Sequence, residues 1–410
     1  MTKLEVLTTK IKWPRGLAFV DEELHVLARG LHRSDGGPNH KIEDHAGSIF
    51  KVDKSIRDQD LSNPGQSVAD NGVIVAPPTD APFYLWDKNA EPKFLDRRTD
   101  RPYATLAYEP ITKNFFICGY SGIDFRDSEN NKSFRKNAND TIHRYSLEKQ
   151  SWFGVECHNR QVVPEYRLGL WIKDSEVYYP HHDISKNPPP HGFLNGPDGL
   201  AAHHPFLFAV AKDNNVLVSY DILNMPDVGF NKNPFLNGKI IKSFGDKKVR
   251  VKGIEKTISL LGPSGVAVSE TEDGYFVYVS FRTTSKIVRY HVDGATQEFE
   301  PIPDLIADFS NADVGKGVDI IDIQFNQAGE LFTSTAKLWG VWNVGIPNPQ
   351  QPFMPDNTLR PTVDLQDLTG SDTKCSNIAF DSDSSLYICS GFKGGSVFVA
   401  TGYEGETYLA

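Results

Sequence analysis

Residues 195–222 read NGPDGLAAHHPFLFAVAKDNNVLVSYDI, a turn followed by three short apolar-alternating runs, G-L-A-A, L-F-A-V-A and V-L-V-S-Y. Apolar residues at every second position mark strands with one buried face, and the Gly, Pro, Asn and Asp clusters between them mark tight turns. Five further stretches repeat the grammar. They start near Arg15 (R-G-L-A-F, L-H-V-L-A-R, S-I-F-K-V-D), Ala104 (A-T-L-A-Y, F-F-I-C-G-Y, T-I-H-R-Y-S) and Ser264 (S-G-V-A-V, F-V-Y-V-S-F-R, K-I-V-R-Y-H). The last two start near Ile321 (I-D-I-Q-F, E-L-F-T-S-T, G-V-W-N-V) and Ser376 (S-N-I-A-F, S-L-Y-I-C-S, S-V-F-V-A-T). Each is the pattern of one propeller blade, and six of them predict an all-β, six-bladed β-propeller that takes up residues 1–410 as one domain.

No blade buries its faces alone, so the ring has to close. Leu4–Thr8 alternate like a strand ahead of the first blade, and the expectation is that this segment becomes the outermost strand of the last blade, removing an exposed edge. The intervals between the first three starts are long. Their excess lies in residues 30–46, 54–80, 121–140 and 181–197, all polar and Gly/Pro/Asp-rich, read as loops. Loops longer than ~12–15 residues in a compact domain are commonly functional.

A formal charge of -10 lacks the basic excess that nucleic acid requires. No apolar run approaches the ~18 residues of a membrane span, and Glu5 interrupts what a signal peptide would need as an apolar core. The expectations are no nucleic acid, no membrane and a cytoplasmic location. The four cysteines, Cys118, Cys157, Cys375 and Cys389, have no CxxC spacing, and disulfides are not expected. Neither G-x-x-x-x-G-K-[ST] nor G-x-G-x-x-G occurs, so no nucleotide cofactor is expected, and no G-x-S-x-G supports a nucleophile elbow.

In a propeller, the residue just ahead of each inner strand faces one mouth of the central channel. Those positions hold Arg15, Ala104, Asp198, Ser264, Ile321 or Asp322, and Ser376 or Asn377. Residues just past the end of each second strand ring the same mouth, and there stand Arg29, Tyr120, Lys212, Arg282, Lys337 and, slightly later, Lys393. A ring of cations on an acidic chain suits the capture of a small anionic substrate, with Arg29, Tyr120, Lys212, Arg282 and Lys337 as its binding residues. The same residues also fit the habit of Lys and Arg to blunt strand ends.

The segment 178–200 gathers His181, His182, Asp183, His191, Asn195 and Asp198 around the Pro188–Pro190 run. Imidazoles and carboxylates serve either a divalent ion, on Asp198 and His182, or proton transfer by His181, His182 and His191. Loop histidines also serve as plain hydrogen-bonding groups. Arg15, in the channel, is a candidate oxyanion stabiliser.

On residues 195–222, supported by 262–292 and 376–401, the chain resembles the NHL-repeat and gluconolactonase/regucalcin-like six-bladed propellers. The resemblance covers the architecture of nearly the whole chain and implies no single reaction, because this superfamily holds lactonases, lyases and binding scaffolds. In gluconolactonase-like members a divalent ion, usually calcium, sits on a Glu, an Asn and an Asp from inner-strand starts, while amidating-lyase-like propellers hold zinc on channel histidines, which the 181–191 cluster resembles in residue type. Asp198 matches the Asp position, whereas Arg15 stands where the Glu belongs. Together these readings point to an enzyme on a small anionic molecule, a lactonase- or esterase-like hydrolase or a lyase, or else to a non-catalytic propeller that binds a ligand or peptide.

Overall fold

The computed structural model describes residues 2–9, 11, 14–28, 49–55, 71–75, 98–99, 103–119, 122–127, 132–137, 141–157, 172–173, 176–177, 197–212, 215–227, 238–312, 317–370, 374–391 and 395–403. They form a six-bladed propeller whose blades succeed one another in chain order. Blade 1 is Pro14–Val20, Glu23–Ala28, Ile49–Val52 and Asn71–Val75; blade 2 is Tyr103–Glu109, Asn114–Gly119, Thr141–Ser146 and Ser151–Cys157. Blade 3 is Pro197–His203, Phe206–Ala211, Val216–Asp221 and Lys239–Ser243. Blade 4 is Pro263–Glu270, Gly274–Phe281, Lys286–Asp293 and Asp304–Asp308, and blade 5 is Ile320–Phe325, Leu331–Thr335, Gly340–Gly345 and Val363–Asp364. Blade 6 is Cys375–Phe380, Leu386–Ser390 and Ser396–Thr401, completed on its outside by Lys3–Thr8. The innermost strands pack side by side in blade order, and that of blade 6 returns to that of blade 1.

The core consists of six apolar seams, one between each pair of neighbouring blades. This arrangement explains why the second strands, such as Phe206–Ala211 and Leu386–Ser390, are buried on both faces and read as unbroken apolar runs. The closing strand uses the two-residue period directly. Lys3 pairs with Thr401 and Val6 with Phe398, while Val6 packs into the seam between blades 5 and 6 and Leu7 into the seam between blades 6 and 1.

Three features differ from the sequence reading. Each blade has four strands rather than three, because outer strands such as Asn71–Val75 (N-G-V-I-V) and Lys239–Ser243 (K-I-I-K-S) carry little alternation. The stretch 121–140, read as a loop, contains the hairpin Gly122–Asp127 and Lys132–Asn137, with Arg98–Thr99 against it. A second hairpin, Gly245–Val251 and Ile254–Leu260, joins the outer edge of blade 4 and widens that sheet to six strands. Half of its strand residues are exposed and many are charged, so they give no amphipathic signal.

One device recurs in all six blades at the same place. The register between the first and second strands slips at Arg15, Ala104, Asp198, Ser264, Ile321 and, in blade 6, Ser376–Asn377. An extra residue in one strand bends it and re-aims a side chain. Here it turns the start of every innermost strand toward the channel. Glycine comes right after the bulge in blades 1, 3 and 4. A Cβ at Gly16 would lie 2.5 Å from the Leu106 backbone nitrogen, and one at Gly199 would lie 2.4 Å from the Ser264 carbonyl oxygen.

Candidate functional site

The bulges bring residues from five blades together at one end of the channel. Asp198 is buried, and its two carboxylate oxygens face two cations: Arg15 Nη2 lies 3.7 Å from Oδ1 and Lys212 Nζ 4.0 Å from Oδ2. Both cationic side chains keep 15% of their surface exposed, so each remains reachable from outside. The Arg15 charge also acts on Cys118 of blade 2, Asp322 of blade 5, and Cys375 and Cys389 of blade 6.

Asp322 is the second buried carboxylate. Its Oδ1 accepts from the Ile323 backbone N–H at 2.9 Å, and its Oδ2 accepts from the Ile378 N–H at 3.1 Å and Asn377 Nδ2 at 3.3 Å. Asn377 Nδ2 also donates to Thr105 Oγ1 at 3.0 Å, tying blades 2, 5 and 6 together across the channel. Burial pushes the Asp322 carboxyl up to about 7, against the pull of those donors and of Arg15. Sequence reading placed Asp322 among the inner-strand starts without assigning it a role. The signal was a carboxylate inside the apolar run I-I-D-I.

Rim cations lie on carboxylates as well. Arg282 Nη2 is 3.9 Å from Asp319 Oδ2 and Lys337 Nζ is 3.2 Å from Asp319 Oδ1. Thus Arg15 and Lys212 meet on Asp198, whereas Arg282 and Lys337 meet on Asp319. Arg29, Tyr120, His181, His182 and His191 lie outside the described residues, as does Lys393. Other histidines are held in the framework. His203 and His204 occupy the hairpin at the opposite end of blade 3, near Glu270 and Glu109, and His291 is paired with Asp273. His143 is fully buried in blade 2, and burial lowers its pKa to about 3.

Among the described residues the donor set does not suit a divalent ion. Both oxygens of Asp198 face a positive charge, those of Asp322 take N–H donors, and Ser264 and Ser376 hydroxyls donate to the backbone carbonyls of Ile320 and Cys389. A cation placed on Asp198 would meet two like charges at close range. Among the described residues no three of His, Cys, Asp or Glu converge on one point. The Cys118, Cys375 and Cys389 thiols are free and buried, and burial raises all three, which disfavours a thiolate nucleophile. The arrangement is two partly exposed cations beside one buried carboxylate. Among the described residues no helix is long and apolar enough to cross a membrane.

No family model and no curated protein matches the chain. Among solved structures it is similar to the soluble aldose sugar dehydrogenase from Escherichia coli (11% identity, 98% of this chain and 99% of that one, TM-score 0.46). It is also similar to a gluconolactonase from Xanthomonas campestris (13% identity, 97% of this chain and 89% of that one, TM-score 0.41) and to a streptogramin B lyase (9% identity, 98% and 97%, TM-score 0.44). At such scores these likenesses bear on neither substrate nor mechanism, and the six-bladed architecture stands on the chain's own sheets and seams.

Proposed function

We propose that the chain is an enzyme acting on a small anionic molecule at the propeller mouth, a hydrolase of lactonase or esterase type or a lyase. The observation that carries the reading is Asp198, buried between Arg15 and Lys212, with both cations still open to solvent. Asp198 draws the two heads together, so a substrate carboxylate or phosphate meets two donors already near one another. Arg15, beside Asp198, is the donor available to a developing oxyanion. In this reading His181, His182 and His191, on the segment that leads into Asp198, supply the proton transfer, and Arg29, Tyr120, Arg282 and Lys337 line the outer rim. A non-catalytic binding propeller is the competing reading, favoured by the spread of Arg282 and Lys337 away to Asp319.

Proton release from a panel of carboxylate-bearing lactones and esters, with the Arg15→Ala and Lys212→Ala variants in parallel, tests the proposal. Turnover by the wild type that falls about 100-fold or more in Arg15→Ala supports it, the size expected for one oxyanion donor. Anion binding without turnover of any panel member leaves the scaffold reading. If neither variant changes binding or turnover, the mouth is not the site.

A further inference from the structure

We propose that the outer edge of the hairpin Gly245–Val251 and Ile254–Leu260 is a docking site for an extended acidic segment of another protein, which adds to the blade 4 sheet as a further strand. The site shares no residue with the mouth. Blade 4 has its four strands without this hairpin, and among the described residues nothing pairs with the outer side of Ile254–Leu260. The other blades blunt their outer edges. The outermost pairing slips in register in blades 1, 2, 3 and 6, and blade 5 ends on the two-residue strand Val363–Asp364. Bulges and short strands are the devices that keep a sheet edge from pairing further. In the hairpin, by contrast, all seven residues of each strand pair without a slip, from Gly245 with Leu260 to Val251 with Ile254. Its turn residues, Lys252 and Gly253, have φ of 52° and 78°, both positive as a type I′ turn requires. Such a turn bonds the Val251 carbonyl to the Ile254 N–H, so alternation along the ladder leaves the N–H and C=O of Glu255, Thr257 and Ser259 facing outward.

Charge selects the occupant. The hairpin carries Lys247, Lys248, Arg250, Lys252 and Lys256 against Asp246 and Glu255, on a chain whose formal charge is -10. Lys248 is paired with Glu255 at 3.3 Å, and Arg250 is held by Glu300 and Asp304. Lys256, exposed on the edge strand, takes no ion pair from the described residues. Ile254, Lys256 and Ile258 share one face of that strand, and Ile254 is 64% exposed. An incoming strand therefore meets an apolar, a basic and an apolar side chain in turn. Its complement reads apolar-x-acidic-x-apolar in either chain direction. A second copy of this strand, paired antiparallel across a two-fold axis, would set Lys256 against a lysine or an apolar residue of the same face and never against an acid. The open ladder with isoleucines beside the lysine suits an added strand, whose backbone supplies affinity and whose side chains supply selectivity.

The probe is a fluorescently labelled synthetic peptide, Ser-Val-Thr-Glu-Thr-Val-Ser, with a second peptide that has lysine in place of the glutamate. Binding of both to the whole chain is followed by anisotropy, and amide hydrogen exchange locates the contact. The acidic peptide should bind saturably, more tightly than the lysine peptide, and slow exchange in Ile254–Leu260. Lys256→Glu should weaken the acidic peptide by about fivefold or more and improve the lysine peptide, the behaviour of a directly opposed cross-strand pair. Thr257→Pro removes an outward N–H and no bond of the hairpin, and should abolish binding of the acidic peptide. Equal binding of the two peptides, a Lys256→Glu variant that keeps the wild-type preference, or slowed exchange elsewhere overturns the inference. Binding to phosphatidylserine vesicles without binding of the acidic peptide overturns it in favour of a membrane surface. Dimerisation that Thr257→Pro removes, again without peptide binding, overturns it in favour of a second copy. Should Thr257→Pro not fold, the exchange of charge at Lys256 still decides.

Discussion

Arg15 of blade 1 and Asp198 of blade 3 meet at 3.7 Å across the intervening blade, which has only Ala104 at the equivalent bulge. A small side chain there leaves the mouth open to the longer ones on either side. The pair, with Lys212, makes the channel end polar and charged while the seams around it remain apolar.

Asp198→Ala should therefore leave Arg15 and Lys212 largely buried without their shared carboxylate. The expected loss is about 3 kcal/mol in urea denaturation, typical of breaking a buried ion pair from one side. Sulfate should restore part of it in the variant and raise wild-type stability less. Equal effects of sulfate on both proteins would count against Asp198 as the group that holds the two cations.

Ring closure makes a separate prediction. Leu7 is fully buried in the seam between blades 6 and 1. Its replacement by alanine should cost about 3 kcal/mol. Glu5→Ala on the same strand removes a side chain that pairs with the exposed Lys3, and should stay within about 0.5 kcal/mol. Urea midpoints of the two variants give the comparison.

Gly199→Ala tests the close approach of neighbouring innermost strands. The added Cβ would press on the Ser264 carbonyl oxygen at 2.4 Å, a backbone atom that cannot rotate away. A loss of roughly 3 kcal/mol is expected, at the upper end for overpacking. Because Gly199 adjoins Asp198, sulfate affinity should fall in the same variant, read in the folded baseline.

Two buried groups pull the pH dependence of stability in opposite directions. His143 has a folded pKa of about 3 against an ordinary 6.5, so its neutral form stabilises the fold above 6.5 and that contribution is lost as pH falls toward 3. Asp322 has a folded value of about 7 against 3.8, so its contribution is complete below 3.8 and is lost as pH rises through 7. Between about pH 4 and 6.5 the two slopes oppose each other. Melting temperatures of His143→Gln should fall as pH rises through this window, and those of Asp322→Asn should rise. Parallel profiles for the two variants would refute the assignment.

The blades were legible because burial on both faces of a seam writes long apolar runs into second strands such as F-L-F-A-V-A and L-Y-I-C-S, and turns punctuate them. The outer strands and the two hairpins, Gly122–Asp127 with Lys132–Asn137 and Gly245–Val251 with Ile254–Leu260, were not legible. Part of their pairing comes from neighbours far along the chain, and much of blade 4's added hairpin faces solvent. Candidate positions at the channel were readable from the residue ahead of each inner strand. Their partners were not.

The amino-acid sequence alone determined the number of blades and the closure of the ring by Leu4–Thr8. Those come from local period and turn chemistry, which act between neighbours in the chain. Tertiary structure decided which charges meet: Arg15 and Lys212 on Asp198, and Arg282 and Lys337 on Asp319. These pairings depend on bulges that aim side chains between blades. They arise only when the ring is closed.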